Sequence, residues 1–182
     1  MNRAVVALEG PPGSGKSTVG RLVAKRLGLE YRSVGEEFRA EARRRGLDLD
    51  AFGRYAEEHP EVDRELDRAM EAYARPGFLL DGRVQGELCR RRGVPVVTVE
   101  VTADEQERAR RVAGRDHQSP ADALRALRRR EESERLRFDR YYGIDLDLVE
   151  ADLVVDSSSR SPEQVADEIV AFLQHPPEGA GA

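Results

Sequence analysis

The chain has no tryptophan, one cysteine, two lysines and no long apolar run. With aromatics at only 5% of 182 residues, a core has to be assembled from leucine, valine and alanine on the faces of charged elements. A single cysteine, Cys89, excludes an internal disulfide and any multi-cysteine zinc site, and its place in a helical run makes it a packing residue. No window reaches the ~18 apolar residues of a membrane span, and the apolar stretch near the start runs at once into Gly-Pro, unlike a signal peptide. These absences set the expectation of a cytoplasmic, single-domain protein with no membrane partner. A net charge of −5 and the scarcity of stacking aromatics argue against a nucleic-acid partner, despite the arginine-rich helices.

What the chain does have is charge, at 36% of residues, and nearly all of its basic side chains are arginine. Lys16 and Lys25 are the exceptions. Apolar runs that read as strands occur at "RAVVALE", "LEYRSVG", "FLLD", "VPVVTVEV" and "ADLVVDS", each separated from the next by helical periodicity. Strands without alternation, joined through helices, predict a parallel sheet covered on both faces, an α/β three-layer fold with five strands. Helical patterns also fill about 35–74 and 104–142, outside the minimal sheet, the second running to about Tyr142. A last helix is expected to start at Ser161 or Pro162, and 175–182 reads as a flexible tail.

Directly behind the first strand stands Gly10-Pro11-Pro12-Gly13-Ser14-Gly15-Lys16-Ser17-Thr18, with "STVGRLVAKRLG" reading as a helix closed by Gly28. The spacing is G-x-x-x-x-G-K-[ST], in its required strand-turn-helix context. Gly13 and Gly15 leave room for consecutive backbone N–H groups to turn inward around a phosphate, and the helix N-terminus adds its positive end. Lys16 would then reach the β and γ phosphates, and Ser17 would ligate Mg²⁺. Asp81 ends the apolar strand "FLLD", where ligands of open α/β sheets gather, and is placed to hold Mg²⁺ through water or to orient a phosphoryl acceptor. Nucleoside triphosphate binding follows from this pattern. The guanine-reading N-K-x-D of a GTPase is absent.

"GPPGSGKST", "SVGEEFR", "FLLDGR" and "RVAGR", in this order and spacing, resemble the nucleoside monophosphate kinases. "FLLDG" and "RVAGR" are similar to adenylate kinase motifs, while "YAEEHPEVDRELDR", "REESERLRFDRYYGID" and "ADLVVDSS" look like the short cytidylate kinases of archaea. The resemblance spans residue 3 to about 173. It implies a P-loop fold with a core at 1–34, 75–103 and 150–174, a monophosphate-binding arm at 35–74, and an arginine-rich lid at 104–142. It further implies Ser33 and Arg39 beside the monophosphate, with Arg83 reaching its phosphate.

Arginine suits those places, because its planar fork matches phosphate oxygens and stays charged. In the lid, Arg111 and Arg115 lie four residues apart and Arg130 and Arg137 seven apart, so each pair shares a helical face. Two such faces would neutralise the charge of a transferring phosphoryl group. Glu131, Glu132 and Glu134 lie among these arginines, and intrahelical ion pairing is the rival use of them. For reading cytosine, Asp63, Arg64 and Asp67 offer an acceptor for its amine and a donor for its carbonyl. Two departures bear on the substrate: Val34 where the related kinases often have a smaller residue, and "GRVQG" without an aromatic after its arginine. The resemblance thus implies a monomer using ATP, with Mg²⁺, to phosphorylate CMP or dCMP. The alternatives are adenylate kinase, another small-molecule P-loop kinase acting on UMP or shikimate, or a nucleotide-binding regulatory module without catalysis.

Overall fold

The computed structural model describes residues 4–175, so the expected tail at 175–182 lies outside the described residues apart from His175. Five strands, β1 (Val5–Glu9), β2 (Glu30–Ser33), β3 (Phe78–Asp81), β4 (Val96–Thr102) and β5 (Leu153–Asp156), form one sheet in the order β2-β3-β1-β4-β5. Every pairing is parallel. β1 and β3 are buried along their whole length, as continuous apolar strands should be. The edge strands differ from the sequence expectation: β2 and β5 alternate, because each has a neighbour on one side only and shows part of itself to solvent.

Eight helices complete the described chain: α1 (Lys16–Leu27), α2 (Val34–Arg44), α3 (Leu49–Glu58), α4 (Glu61–Glu71), α5 (Gln85–Arg91), α6 (Glu105–Asp116), α7 (Pro120–Tyr142) and α8 (Pro162–Gln174). On one face of the sheet, Val19 and Val23 of α1 and Val165 and Ile169 of α8 cover Val6, Leu8, Leu79 and Val99. On the other, Cys89 of α5 and Met70 of α4 cover Val5, Ala7, Leu80 and Val96. Cys89 is an inert packing residue whose thiol pKa burial pushes up. No described helix is long and apolar enough to cross a membrane.

Local chemistry sets the helix ends. Ser33 starts α2 earlier than "SVG" suggests as strand: its Oγ accepts from the N–H of Glu36 at 3.4 Å, so Val34 is already helical. Ser119 caps α7 likewise, with Pro120 in the first turn, so this helix begins ahead of the expected "PAD" loop end. Ser161 and Gln164 form a capping box ahead of α8.

Helices α2, α3 and α4 share a small core of their own around Phe52, Ala42, Ala56 and Val62. α6 and α7 share another, around Val112, Ala113, Ala123 and Leu127. α7 belongs to both groups. Its first half packs on α6, while Tyr141 near its end donates to the carbonyls of Ala56 and Glu57 in α3 at 2.9 and 2.6 Å.

Candidate active site

Between β1 and α1 the chain wraps a loop whose three glycines all have positive φ: Gly10 at 132°, Gly13 at 83° and Gly15 at 91°. Gly10 also meets a steric limit, since a Cβ there would lie 2.1 Å from the carbonyl oxygen of Val101. The loop is thereby pressed against β4, and α1 starts at Lys16 directly behind it. Lys16 Nζ donates to the Pro11 carbonyl at 2.8 Å. Burial pushes its pKa down to about 8, with the negative charge of Asp81 opposing the fall.

Asp81, at the C-terminal end of β3, receives three hydroxyls on one oxygen. Ser17, Tyr31 and Ser33 donate to its Oδ2 at 2.9, 2.5 and 3.3 Å. Register explains two of them, because Ser33 lies opposite Asp81 in the β2–β3 ladder and Tyr31 is two residues earlier on the same face. Burial and the Asp81 charge hold the Tyr31 phenol well above its ordinary pKa, so it remains a donor. Hydroxyl and carboxylate oxygens in contact are the donor set of a hard cation. No cluster of three or more His, Cys, Asp or Glu among the described residues forms an all-protein cage. That combination fits Mg²⁺, which characteristically takes one or two protein ligands and completes its shell with phosphates and water.

One cavity of about 1070 Å³ opens from this point. Of the loop residues, Pro12 through Thr18 line it, whereas Gly10 and Pro11 shape the loop from behind. Ser33, Arg39, Asp63, Asp81, Arg83, Arg111, Arg115, Arg130 and Arg137 all line the same space. Arg39 makes no ion pair among the described residues; burial, and then the charges of Arg130 and Arg115, lower its pKa, so three guanidinium groups converge there. Arg83 and Arg130 share Glu134, with Nε atoms 3.0 and 2.8 Å from its two carboxylate oxygens. Although burial would raise it, the pKa of Glu134 is held below the ordinary range by Arg130, Arg83 and Arg137.

The arginines of α6 and α7 are not equivalent. Arg115 is clasped by the carboxylate of Asp116 at 2.6 and 2.7 Å and stays half exposed. Arg111 points back to the loop: it donates to the Ser14 carbonyl at 3.2 Å and to the Ser157 carbonyl at 2.6 Å, with Glu107 on its Nε at 2.8 Å. Arg137 is buried in an ion pair with Asp63, its guanidinium 5.3 and 5.7 Å from the ring centroids of Phe38 and Phe138. Asp63 Oδ2, buried at the cavity wall, has no hydrogen-bond partner. Asp67 accepts from Gln85 Nε2 at 3.1 Å and from the Tyr142 hydroxyl at 2.6 Å, so it is already spoken for by α5 and α7. Arg64, grouped with these two acids in the sequence reading, is exposed and does not line the cavity.

A family profile described as "AAA domain" matches residues 9–128. A curated cytidylate kinase of Sulfurisphaera tokodaii is 37% identical over 172 residues, covering 93% of this chain and 94% of the relative. The cytidylate kinase of Aeropyrum pernix is 44% identical over 158 residues, covering 86% and 91%. The chain belongs to the cytidylate kinase family. Among solved structures, the shikimate kinase of Acinetobacter baumannii superposes with a TM-score of 0.60 at 20% identity, over 95% of this chain and 94% of that one; this likeness concerns the fold.

The kinase also uses residues that periodicity and motif left unmarked. Arg108, nearly buried, donates to the carbonyls of Ala103 and Pro12 at 3.1 and 3.2 Å and pairs with Glu131 of α7. It ties α6 and α7 to the loop, and a Cβ on Gly13 would sit 3.0 Å from its own Cβ. Ser157 bridges the Ser14 and Thr102 carbonyls at 2.8 and 2.9 Å. Glu9 is buried beside the loop, accepting from the Gly86 N–H at 2.7 Å, and desolvation lifts its pKa to about 7. No local pattern marks any of these, since each acts on a partner 46 or more residues away or across a fold of the chain.

Proposed function

We propose that this kinase transfers the γ-phosphoryl group of ATP, with Mg²⁺, to CMP or dCMP, giving ADP and CDP or dCDP. The single observation that carries the reading is the lining of the large cavity: the phosphate loop with Lys16, the Ser17–Asp81 pair, the buried Asp63–Arg137 pair and the arginines Arg39, Arg83, Arg115 and Arg130 all face one space.

In this reading the backbone of residues 12–18 and Lys16 hold the ATP phosphates, and Ser17 together with Asp81 holds Mg²⁺, Asp81 through water. The cation supplies charge neutralisation between the β and γ phosphates. Arg39 and Arg83, with Ser33 beside them, hold the acceptor phosphate, so that one of its oxygens faces the γ-phosphorus. Arg115 and Arg130 add positive charge around the phosphoryl group in transit, and Arg111 acts by fixing the loop. A loose phosphoryl transfer asks for such positioning and charge rather than an enzyme nucleophile, and no covalent intermediate is invoked. The free oxygen of Asp63 is an acceptor suited to the exocyclic amine of cytosine, with Arg137 as the donor opposite its carbonyl. Uracil would present a carbonyl to that carboxylate, a repulsive contact.

The domain plan proposed alongside has a core at 1–34, 75–103 and 150–174, an arm at 35–74 and a lid at 104–142. The protein would act as a cytoplasmic monomer on small-molecule nucleotides. An ADP-release assay against CMP, dCMP, UMP, AMP and GMP tests the reading. CMP and dCMP are expected to lead. Turnover with AMP outpacing CMP would replace the base assignment, and no turnover with any of them would sink the reaction itself.

A further inference from the structure

Tyr31 lies outside every motif, yet its hydroxyl makes the shortest of the three hydrogen bonds to Asp81, 2.5 Å to Oδ2. The surrounding structure holds that ring in a slot. Gly20, in the middle of α1, has no side chain where a Cβ would stand 2.8 Å from Tyr31 Cε2 and 2.9 Å from Leu8 Cδ2. Glycine is a poor helix former, and the ring is what the missing side chain admits. The Arg21 guanidinium lies 4.6 Å from the ring centroid, and Arg21 is itself paired to Glu36 of α2.

We infer that Tyr31 is a positioning residue for the Mg²⁺–triphosphate site, holding the Asp81 carboxylate in a fixed rotation beside Ser17. The inference rests on the reading of Ser17 and Asp81 as the Mg²⁺ pair. Ser17 donates its proton to Asp81 and would meet a cation through its lone pairs, so it is shared between the two, and the rotation of the carboxylate falls to the other two hydroxyls. Ser33, at 3.3 Å and also capping α2, is the weaker of the two remaining anchors. All three bonds land on Oδ2, so Oδ1 is the oxygen left to meet the water shell of a cation. Such outer partners commonly govern metal affinity by tenfold or more.

The test is Tyr31→Phe, which keeps the ring in its slot and removes only the hydroxyl. Calorimetric titration of ADP is run on the full chain in EDTA and in excess Mg²⁺, with Mn²⁺ binding followed by paramagnetic resonance as a readout independent of turnover. The expected result is ADP affinity in EDTA within about twofold of wild type, and a loss of about tenfold in the tightening that Mg²⁺ brings, with Mn²⁺ weakened alike. Equal Mg²⁺ tightening in variant and wild type would overturn the inference while leaving the Ser17–Asp81 reading intact. A wild type whose ADP affinity ignores Mg²⁺ would overturn both. Tyr31→Met, lacking the ring as well, is expected to melt lower but to lose the same Mg²⁺ effect; a loss that tracks melting temperature instead of the hydroxyl would make Tyr31 a packing residue only and refute the assignment.

Discussion

Raising the pH should cost this kinase its grip on ATP before it costs turnover. Lys16 is the cause: without nucleotide its amine is buried against the Pro11 carbonyl, and its pKa is pushed down to about 8 from an ordinary 10.5. At 1.36 kcal/mol for each tenfold change in protonation, keeping that charge in the free protein costs about 3 kcal/mol. Above pH ~8 the free enzyme sheds the proton, and a neutral amine no longer attracts phosphate. kcat/KM for ATP reports groups of the free enzyme, so it should fall about tenfold per pH step above ~8. kcat reports the complex, where the phosphate charges keep Lys16 protonated, and should stay level well beyond that point. Initial rates across pH ~6.5 to ~9.5 at saturating CMP provide the measurement. A kcat/KM profile flat to pH ~9.5, or kcat falling in step with it, would refute the reasoning. Stability gives an independent check of sign. Between pH ~8 and 10.5 the unfolded chain binds the proton that the folded one has released, so the Lys16 contribution to stability grows with pH and is lost as pH falls through ~8. Melting curves of wild type minus Lys16→Met should therefore rise over that window.

Three further outcomes are expected. Glu9→Gln removes a charge that desolvation disfavours; since the folded pKa of about 7 lies above the ordinary 4.5, wild-type stability from this group is full below ~4.5 and lost through ~7, and the variant should out-melt wild type at pH ~8 with the gap closing by pH ~5. Arg137→Met strands Asp63 as a buried, unpaired carboxylate and should destabilise by about 3–5 kcal/mol in urea unfolding, while Asp63→Asn added to it restores much of the loss; equal midpoints for single and double variants would contradict a buried pair. Gly10→Ala would drive a Cβ into the Val101 carbonyl, so it should fail to fold or melt far below wild type, whereas Gly28→Ala meets no atom within 4 Å and should cost only its left-handed backbone, about 1 kcal/mol, by the same thermal assay.

How much of this was readable without coordinates depends on the range of each interaction. The loop at 10–18 was legible because all its parts are consecutive and its strand-turn-helix context is local. Arg39, Arg83, Arg115 and Arg130 were legible as candidates from motif resemblance, and the structure brings them to one cavity. Spacing alone misjudged Arg64, since a helical face says which residues are neighbours and not which way the helix is turned. It also said nothing of the difference between Arg111, spent on loop carbonyls, and Arg115, facing the cavity four residues on. Arg108, Tyr31 and Glu9 stayed hidden because their partners stand at 96, 50 and 77 residues' remove. A charged or aromatic residue in a helix or strand looks the same from the sequence whether it is solvated or bolted to another element.

The chain's preference for arginine gains a reason from these contacts. An arginine can satisfy two backbone carbonyls at once with a fixed fork, as buried Arg108 and half-buried Arg111 do around the loop, where a lysine would offer a point charge. Arginines proposed to meet phosphate would need the opposite property, freedom to move, and here they are balanced by carboxylates: Glu134 between Arg83 and Arg130, Asp116 on Arg115. Those acids keep like charges from splaying the site before nucleotides arrive, at the cost of competing with phosphate for the same donors. Lys16 stands apart from both groups. Its compact, strongly hydrated amine, deep in the loop, is the one cation of the site whose protonation yields to burial near neutral pH. Arginine at that place would stay charged at every working pH and would present a planar fork where lysine presents a single compact charge.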